Sequence, residues 1–345
     1  MNTPVRRLLV FLAMVLALAG VCVVSMGIGA VELSAGTVLR VLLAHLPYPF
    51  TLETTIDPTS DAIVWDIRLP RTLLAMLVGM ALAASGGIMQ GFFQNPMADP
   101  YVVGVSAGAA LGATSAYALG LDFWVFGINA VSVSALLCAV GITLLVYLLS
   151  RRRGRVASGT LLLTGIAVGS LATSITSFLL VMGQEDQRRV LFWLMGSLSS
   201  RQWDHVVMLF PYVIIGLSAA MLFARDLNAL LLGDEQAAHL GIAVERVKLI
   251  LLAAASCLAA AAVSVSGIIG FVGLLVPHVV RLAAGPDYRF LMPLSTLGGG
   301  ILLVLADTVA RTALAPAEMP VGILTTLLGG PFFLYLLYRQ KNRLF

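Results

Sequence analysis

Residues 249–280 read LILLAAASCLAAAAVSVSGIIGFVGLLVPHVV, a run of 32 residues without a charged side chain. A continuous helix of that length would measure about 48 Å, well beyond the roughly 30 Å hydrocarbon core of a bilayer. Ser266 and Gly267 lie near the middle of the run and offer a place for the helix to break. We therefore expect two membrane-spanning helices, over about 240–265 and 268–284.

Eight further uncharged runs are long enough to cross a bilayer. They cover residues 8–31, 72–98, 100–121, 123–150, 156–184, 205–224, 290–306 and 319–338. Charged residues make up 11% of the chain and hydrophobic residues 59%, whereas about 25% of a soluble domain is charged. This composition excludes a cytosolic enzyme, a disordered chain and a nucleic-acid binder. The sequence predicts an all-α integral membrane protein with about ten transmembrane helices, surrounded by lipid, in a single domain over residues 1–345.

Basic residues are unevenly divided between the two sides of such an arrangement. With Arg6 and Arg7 in the cytoplasm, the inner side holds 14 of the 21 Lys and Arg residues and 6 of the 17 Asp and Glu residues. Nine spans instead of ten would place the basic tail Arg339–Arg343 outside, against the positive-inside rule. We therefore expect both termini in the cytoplasm.

The chain has only two lysines, Lys248 and Lys341, and neither follows a glycine. The Walker A loop of ATPases requires a Gly-Lys-Ser/Thr sequence, so we expect no ATP hydrolysis by this chain. Its three cysteines lie in apolar stretches without metal-site or disulfide spacing. We expect no metal site and no cofactor bound by the chain itself.

The stretch Gly104-Val105-Ser106-Ala107-Gly108 matches the Gly-x-Ser-x-Gly pattern of serine hydrolases. Here it opens a membrane helix, and with Gly112 it repeats a small residue at every fourth position, which is typical of close helix packing. An intramembrane serine protease using Ser106 would need a histidine at mid-membrane, whereas all four histidines fall in loops or at span ends. Packing is the favoured interpretation, and the protease is the alternative.

Arginines mark the outer end of the second span. Pro70 suits the first turn of a helix, which holds Arg71 at the start of the span, close to Arg68. These arginines could reach lipid headgroups, or they could dock an acidic partner outside. Asp307 and Arg311, four positions apart in a later span, can pair with each other.

Amide side chains mark the other end of the same span: Gln90, Gln94 and Asn95 precede Pro96. An unpaired amide is costly in lipid, so we expect these groups to face the protein interior or a water-filled path. Asn95, at the break before Pro96, is a candidate gate residue. The span over 160–182 is also rich in hydroxyl groups, which either bond their own helix backbone or line a pore.

A short helix is predicted within the long inner segment 225–248. Asp234 is a suitable N-cap and Gly241 a suitable C-cap for about two turns. An alanine-rich helix held between membrane spans could enter a groove on another protein, or it could be an ordinary connection.

Taken together, these motifs resemble the FecCD-type permease family, the membrane subunits of type II ABC importers for iron–siderophore complexes, haem and cobalamin. The resemblance covers Arg68 to Leu337 and rests on several stretches. They are Arg68–Arg71, Ser85–Pro100, Gly104–Gly108, Trp193–Ser197, Gly233–Gly241, Ser266–His278, Asp307–Arg311 and Pro320–Gly322.

The family implies a partnership of several subunits in a bacterial inner membrane. Two copies of an ATP-binding subunit would carry ATP and Mg²⁺, and a periplasmic or lipid-anchored binding protein would deliver the substrate. A second permease, either an identical copy in a homodimer or a homologue, would complete the membrane part.

The resemblance also implies roles for individual residues. Arg68, Arg71 and Arg311 would dock the binding protein, and Arg188 would lie at the substrate entrance. Asn95 and Met97 would form a cytoplasmic gate, and Ser158 and Gly159 match the position of a second gate, where a family member has Thr-Ser. The ATPase-coupling residues would be Asp234, Glu235, Ala237, Ala238, Leu240 and Gly241.

Overall fold

Fifteen helices account for most of the residues that the computed structural model describes, which are 4–45, 56–125, 127–152, 155–183 and 187–341. The helices are α1 (Pro4–Gly27), α2 (Ala35–Ala44), α3 (Pro58–Ala62), α4 (Leu69–Phe92), α5 (Val105–Ala118), α6 (Ala130–Ser150), α7 (Ser158–Met182), α8 (Gln187–Leu194), α9 (Trp203–Leu222), α10 (Ala224–Leu230), α11 (Asp234–His239), α12 (Val244–Ser266), α13 (Val272–Ala284), α14 (Tyr288–Thr312) and α15 (Val321–Lys341). A π-helical stretch, Ile63–Arg68, joins α3 to α4, and a 3₁₀ turn, Pro100–Val103, precedes α5.

Two short hairpins complete the secondary structure of the described residues. Strand β1 (Trp124–Val125) pairs antiparallel with β2 (Ile128–Asn129), and β3 (Arg151–Arg152) pairs antiparallel with β4 (Arg155–Val156). Residues 184–186 lie outside the described residues, and so do Arg153 and Arg343, two of the basic residues counted on the inner side.

Ten helices form the membrane bundle. Seven of them, α1, α4, α6, α7, α9, α12 and α14, are long and apolar enough to cross a bilayer. Of the shorter helices, α5 packs against α6 and α7, and α13 and α15 pack against α14. The bundle thus has about ten helices, which confirms the predicted fold class. The long uncharged run does break at the predicted place, because α12 ends at Ser266 and α13 begins at Val272.

Gly267 makes that break possible. Its φ is +69°, in the left-handed region, and a Cβ atom at this position would lie 2.1 Å from the carbonyl oxygen of Trp193. Any other residue would therefore be strained and would clash with the last turn of α8.

The connections divide the bundle into two ends. The α11 end holds α10, α11 and the loop after α4, and the Arg71 end holds α2, α3 and the start of α4. Helix α1 begins at the α11 end, where the Arg7 guanidinium lies 3.8 Å from the centre of the Phe290 ring at the start of α14. Because the ten helices alternate in direction, α15 runs from the Arg71 end back towards the α11 end.

Helix α4 lies at the centre of the bundle and is buried along most of its length. Glycines allow its backbone to touch its neighbours. A Cβ atom on Gly79 would lie 2.1 Å from the carbonyl oxygen of Gly299 in α14, and one on Gly86 would lie 1.8 Å from that of Gly273 in α13. These contacts fix α4, and with it the loop that follows it at the α11 end.

The Gly-x-Ser-x-Gly stretch packs α5 against α6, which confirms the favoured interpretation. A Cβ atom on Gly108 would lie 2.7 Å from the Cys138 carbonyl oxygen, and one on Gly112 would lie 2.2 Å from the Ser134 carbonyl oxygen. The repeat of small residues therefore lets the two helix backbones approach closely.

Candidate coupling and gating site

Helix α11 is a six-residue helix bounded by two glycines in the left-handed half of φ space. Gly233, with φ +106°, is its N-cap, so the prediction that Asp234 is the N-cap is wrong by one residue. Leu240 is the C-cap and Gly241, with φ +85°, follows it. The amides of Gly241 and Ile242 donate to the carbonyl oxygens of Ala238 and Ala237, which is the Schellman pattern that ends a helix.

The predicted coupling residues divide between two faces of α11. Ala237 is fully buried against the bundle, whereas Glu235, Ala238 and Leu240 are exposed. Leu240 is 65% exposed and lies close in sequence to the exposed Leu232. The outer face of α11 therefore presents Ala238 and Leu240 among polar groups, which include Glu235, Gln236 and His239.

Asp234 is exposed as well, with 48% of its side chain accessible, but its carboxylate bonds back to the bundle. One carboxylate oxygen accepts a hydrogen bond from the Lys248 ammonium group of α12, and the other accepts from the Gln94 side-chain amide at 3.3 Å. Lys248 is buried and lies 5.6 Å from the centre of the Phe92 ring, at the end of α4. Asp234 thus bonds two elements that flank α11, the loop after α4 and helix α12.

The gate loop, which we define as residues 93–99, follows α4 directly. The Asn95 side-chain oxygen accepts a hydrogen bond from the Met97 amide at 2.9 Å, so the two predicted gate residues are in contact. The loop is also held from α13, where the His278 ring interacts with the backbone of Pro96. Asn95 itself is exposed.

Asp99 ends the gate loop and caps the 3₁₀ turn. Its carboxylate accepts a hydrogen bond from the Tyr101 amide at 2.8 Å, and the Tyr101 hydroxyl donates to the carbonyl oxygen of Ile269 at 2.8 Å. Burial raises the pKa of Asp99 from 3.8 to about 6, and the bond from Tyr101 opposes that rise. The end of the gate loop is therefore fixed to the break between α12 and α13.

Ser158 and Gly159 begin α7 at the same end of the bundle as the gate loop. A little further along α7, a Cβ atom on Gly165 would lie 2.1 Å from the Val102 carbonyl oxygen. The start of α7 therefore packs on the 3₁₀ turn that follows the gate loop. A groove of ≈ 400 Å³ opens beside this contact, with Tyr101, Gly169 and Thr173 in its wall.

The hydroxyl groups of α7 bond their own helix backbone, as one of the two interpretations predicted, whereas pore lining stays a prediction. The hydroxyls of Thr173, Ser174 and Ser177 donate to the backbone carbonyl oxygens of the residues four positions before them. These three side chains are nevertheless exposed, and so is Ser170. At 100° per residue they form one stripe that also contains Gly159 and Leu163. We refer to this face as the hydroxyl stripe.

At the Arg71 end, Arg71 binds two carboxylates. Its guanidinium lies 2.9 Å from Asp307 and 2.9 Å from Glu318. Asp307 therefore accepts from Arg71 and not from Arg311, which corrects the predicted pair. Arg311 instead donates to the backbone and side-chain oxygens of Ser25. Burial acts to raise the pKa of Glu318, but its hydrogen bonds from Arg71 dominate, and the pKa is lowered.

Arg68 is buried and holds the end of α1. Only 6% of the residue is exposed, and its guanidinium donates to the carbonyl oxygens of Met26 and Gly27 at the end of α1. Together with Arg71, Arg311 and Glu318 it lines a cavity of ≈ 880 Å³ between α1, α4 and α14. Arg188 is separate from this cluster; it lies exposed on α8, 5.8 Å from the centre of the Phe192 ring.

Sequence reasoning assigned no role to Lys248 or Glu318. A lysine in an apolar segment of a chain with only two lysines is a signal for a specific carboxylate partner, and Lys248 could have been found in this way. Glu318 follows a proline-containing loop, and no sequence pattern places it near Arg71, more than 200 residues earlier.

Ser106 lacks the histidine that a serine protease needs beside its nucleophile, because the four histidines lie elsewhere. His45 bonds to Asp61, His205 bonds to Asp204, and His278 contacts the gate loop. His239 lies on the exposed side of α11.

The comparisons with known proteins agree with the fold and with the motifs. The FecCD transport family model matches residues 14–339. The cobalamin import system permease protein BtuC of Halobacterium salinarum is 47% identical over 298 residues, which cover 86% of this chain and 79% of the relative. The hemin transport system permease protein HmuU of Yersinia pestis is 45% identical, over 83% of this chain and 86% of the relative.

A solved structure gives the same type of protein. A metal-chelate type ABC transporter in an inward-facing conformation superposes with a TM-score of 0.83 at 31% identity, over 96% of this chain and 99% of the other. The fold is thus that of a type II ABC importer permease, and none of these relatives supports the protease alternative. From the family model, the relatives and the shared architecture, we conclude that the chain is a transporter membrane subunit that belongs to the FecCD transport family.

Proposed function

We propose that this chain is the permease of an ATP-driven importer that moves a metal chelate, either haem, a ferric siderophore or cobalamin, from a binding protein into the cytoplasm. The observation that carries the proposal is family membership over nearly the whole chain, with relatives named for cobalamin and for hemin at 45–47% identity. A relative named for iron(3+)-hydroxamate, FhuB of Bacillus subtilis, is 36% identical over 96% of the chain.

The driving force would come from two copies of a separate ATP-binding subunit, which hold ATP and Mg²⁺. The exposed face of α11, with Glu235, Ala238 and Leu240, is the surface that such a subunit would bind. Its apolar side chains favour burial in a protein groove. The α11 end would then face the cytoplasm of a bacterial inner membrane, and with it both ends of the chain.

The path would run between two permease copies, along their hydroxyl stripes. An exposed hydroxyl stripe on an otherwise apolar helix is better placed against water or a partner than against lipid. Gly159 and Ser158 lie at the α11 end of the stripe, where a gate would close the path together with Asn95 and Met97. Few charged groups line this route, so a large and partly apolar chelate would bind weakly and could leave.

The binding protein would dock at the Arg71 end. Arg68 and Arg311 are held by backbone and serine oxygens, so of the three predicted docking residues Arg71 is the best placed to exchange partners. A carboxylate of the binding protein could replace Glu318, whose side chain is 40% exposed. Arg188, exposed on α8, would lie beside the entrance.

Transport into sealed vesicles tests this function. The permease and its ATP-binding subunit are reconstituted together, and binding protein loaded with cyanocobalamin, haemin or a ferric hydroxamate is added. We expect uptake of one of these probes that depends on ATP and is inhibited by vanadate. Uptake by the permease without the ATP-binding subunit, or no ATP-dependent uptake of any probe, would overturn the proposal.

Two substitutions test the coupling role of α11. Asp234→Arg places a cation beside Lys248, and Gly241→Pro is incompatible with φ +85°. Both should abolish uptake while the protein still inserts into the membrane, which is measured by its yield in the membrane fraction. Normal uptake by either variant would contradict the coupling role.

A further inference from the structure

Gln94 has a backbone conformation that its residue type does not favour. It follows the C-cap of α4 with φ +52°, a position that usually holds glycine, because a Cβ atom is sterically disfavoured there. The surrounding bonds are again a Schellman pattern, with the amides of Gln94 and Asn95 donating to the carbonyl oxygens of Gly91 and Gln90. A non-glycine residue in this conformation suggests that its side chain has a use.

The side chain of Gln94 does have a partner, and the partner is on the coupling helix. Its amide donates to one carboxylate oxygen of Asp234, while Lys248 donates to the other. The carboxylate therefore joins three elements: the gate loop, α11 and α12. We call these three residues the Gln94–Asp234–Lys248 cluster.

Packing between the same elements supports this connection. A Cβ atom on Gly91, in the last turn of α4, would lie 2.6 Å from Leu227 of α10 and 2.9 Å from the Tyr288 hydroxyl. Lys248 is only 3% exposed and lies over the Phe92 ring. The end of α4 is thus held against the segment that carries α11, and a movement of α11 would be transmitted to it.

We propose that the Gln94–Asp234–Lys248 cluster couples the α11 helix mechanically to the gate loop, with Gln94 and Lys248 as positioning residues for transport. The inference rests on the proposed function and adds the route by which a displacement of α11 reaches Asn95 and Met97. Asp234 acts through this cluster. The cluster is neutral in charge and can transmit the movement. If the Asp234 carboxylate moved away from Gln94 and Lys248, the buried Lys248 ammonium group would lose its counter-charge.

Exchange of charge within the cluster tests this route. Gln94→Glu keeps the size of the side chain but sets two carboxylates against each other. Asp234→Asn removes the anion beside the buried Lys248. In the double variant, the Asn amide can donate to the new carboxylate, and the cluster is neutral again.

The readout is the number of chelate molecules moved per ATP hydrolysed by the reconstituted complex, with the probe that the wild-type protein moves. We expect each single variant to lower this ratio about fivefold or more, and the double variant to return to within about twofold of wild type. Gln202→Glu makes the same chemical change before α9, at the Arg71 end, and should leave the ratio unchanged.

A purely structural role would lower the yield of the complex, or its ATP hydrolysis, at an unchanged ratio. That result would overturn the inference, and so would a double variant no better than Gln94→Glu.

A second measurement does not require transport. In a variant without Cys22, Cys138 and Cys257, the rate at which a maleimide reagent modifies Met97→Cys is compared with and without ATP and vanadate. We expect ATP with vanadate to change this rate in the otherwise wild-type complex and not in the Gln94→Glu complex. The same response in both would overturn the inference. If no probe is transported by wild type, the proposed function fails, and the labelling rates still decide whether α11 moves the gate loop.

Discussion

Asp99 is a residue at which pH should change the stability of the fold. Its folded-state pKa of about 6 lies above the ordinary value of 3.8, so the folded protein holds a proton more tightly than the unfolded chain. Ionisation of Asp99 therefore lowers the free energy of unfolding. This loss grows as the pH rises between the two pKa values and is fully present above about pH 6. Asp99→Asn keeps the acceptor for the Tyr101 amide without the charge.

We expect Asp99→Asn to raise the free energy of unfolding by about 1–3 kcal/mol at about pH 7.5, and by progressively less as the pH is lowered towards 4. Thermal unfolding of the detergent-purified protein across this pH range measures the difference. Asp122→Asn, in the exposed loop after α5, is the control and should show no such trend. A constant difference between wild type and Asp99→Asn at every pH would show that burial of the charge is not the cause.

Sequence reasoning at the residue scale located polar groups better than it identified their partners. Gln90, Gln94 and Asn95 were predicted to face the protein interior or a water-filled path, because an amide is costly in hydrocarbon. Gln90 is buried and donates to the Leu274 carbonyl oxygen, whereas Gln94 and Asn95 are exposed at the α11 end. Asp307 was assigned to Arg311 from helical spacing, whereas it binds Arg71 from a helix far away in the sequence. Local spacing contains no information about such tertiary pairs, so the docking and gating roles remain predictions.

Among the elements, α4 and α13 approach each other closely at the centre of the bundle. A Cβ atom on Gly86 would lie 1.8 Å from the Gly273 carbonyl oxygen, so Gly86→Ala must push the two helices apart. We expect the free energy of unfolding to fall by about 1–3 kcal/mol, which is measured as a lower midpoint of thermal unfolding in detergent.

Gly141→Ala is the matched control for this substitution. Gly141 lies within α6, and a Cβ atom there would meet no atom within 4 Å. Since alanine favours a helix over glycine by up to about 1 kcal/mol, this variant should be neutral or more stable than wild type. If both variants lost the same stability, the close contact between α4 and α13 would not be the reason.

The elements themselves could be predicted because the membrane imposes a simple requirement on each one. An uncharged run must be long enough to cross, and a run that is too long must break, which is why Ser266 and Gly267 could be identified. The boundaries of α11 were less accurate, since Asp234 follows the N-cap. The Asp234 carboxylate accepts hydrogen bonds from Lys248 and Gln94, and these tertiary bonds replace the local capping bond that the sequence pattern suggested.

On the scale of the whole molecule, the burial of the ten helices is uneven. The central helix α4 is covered nearly everywhere, whereas α1 and α7 leave most of their surface open. The open faces of α1 are apolar and suit lipid. Those of α7 include the hydroxyl stripe, which lipid would not solvate well. The difference between these two open helices is the physical basis for placing a second copy of the chain against α7 and none against α1.

Crosslinking between copies tests that arrangement. Ser174→Cys, on the hydroxyl stripe, is introduced into the variant without native cysteines, and a short bis-maleimide reagent is added to membranes. We expect a covalent dimer of twice the chain's mass, because the two stripes would face each other across the path. Leu16→Cys on α1, where the native side chain is 73% exposed, is the control and should stay monomeric. Equal crosslinking at both sites would indicate random collision in the membrane, and crosslinking at Leu16→Cys alone would place the partner copy on the other side of the bundle.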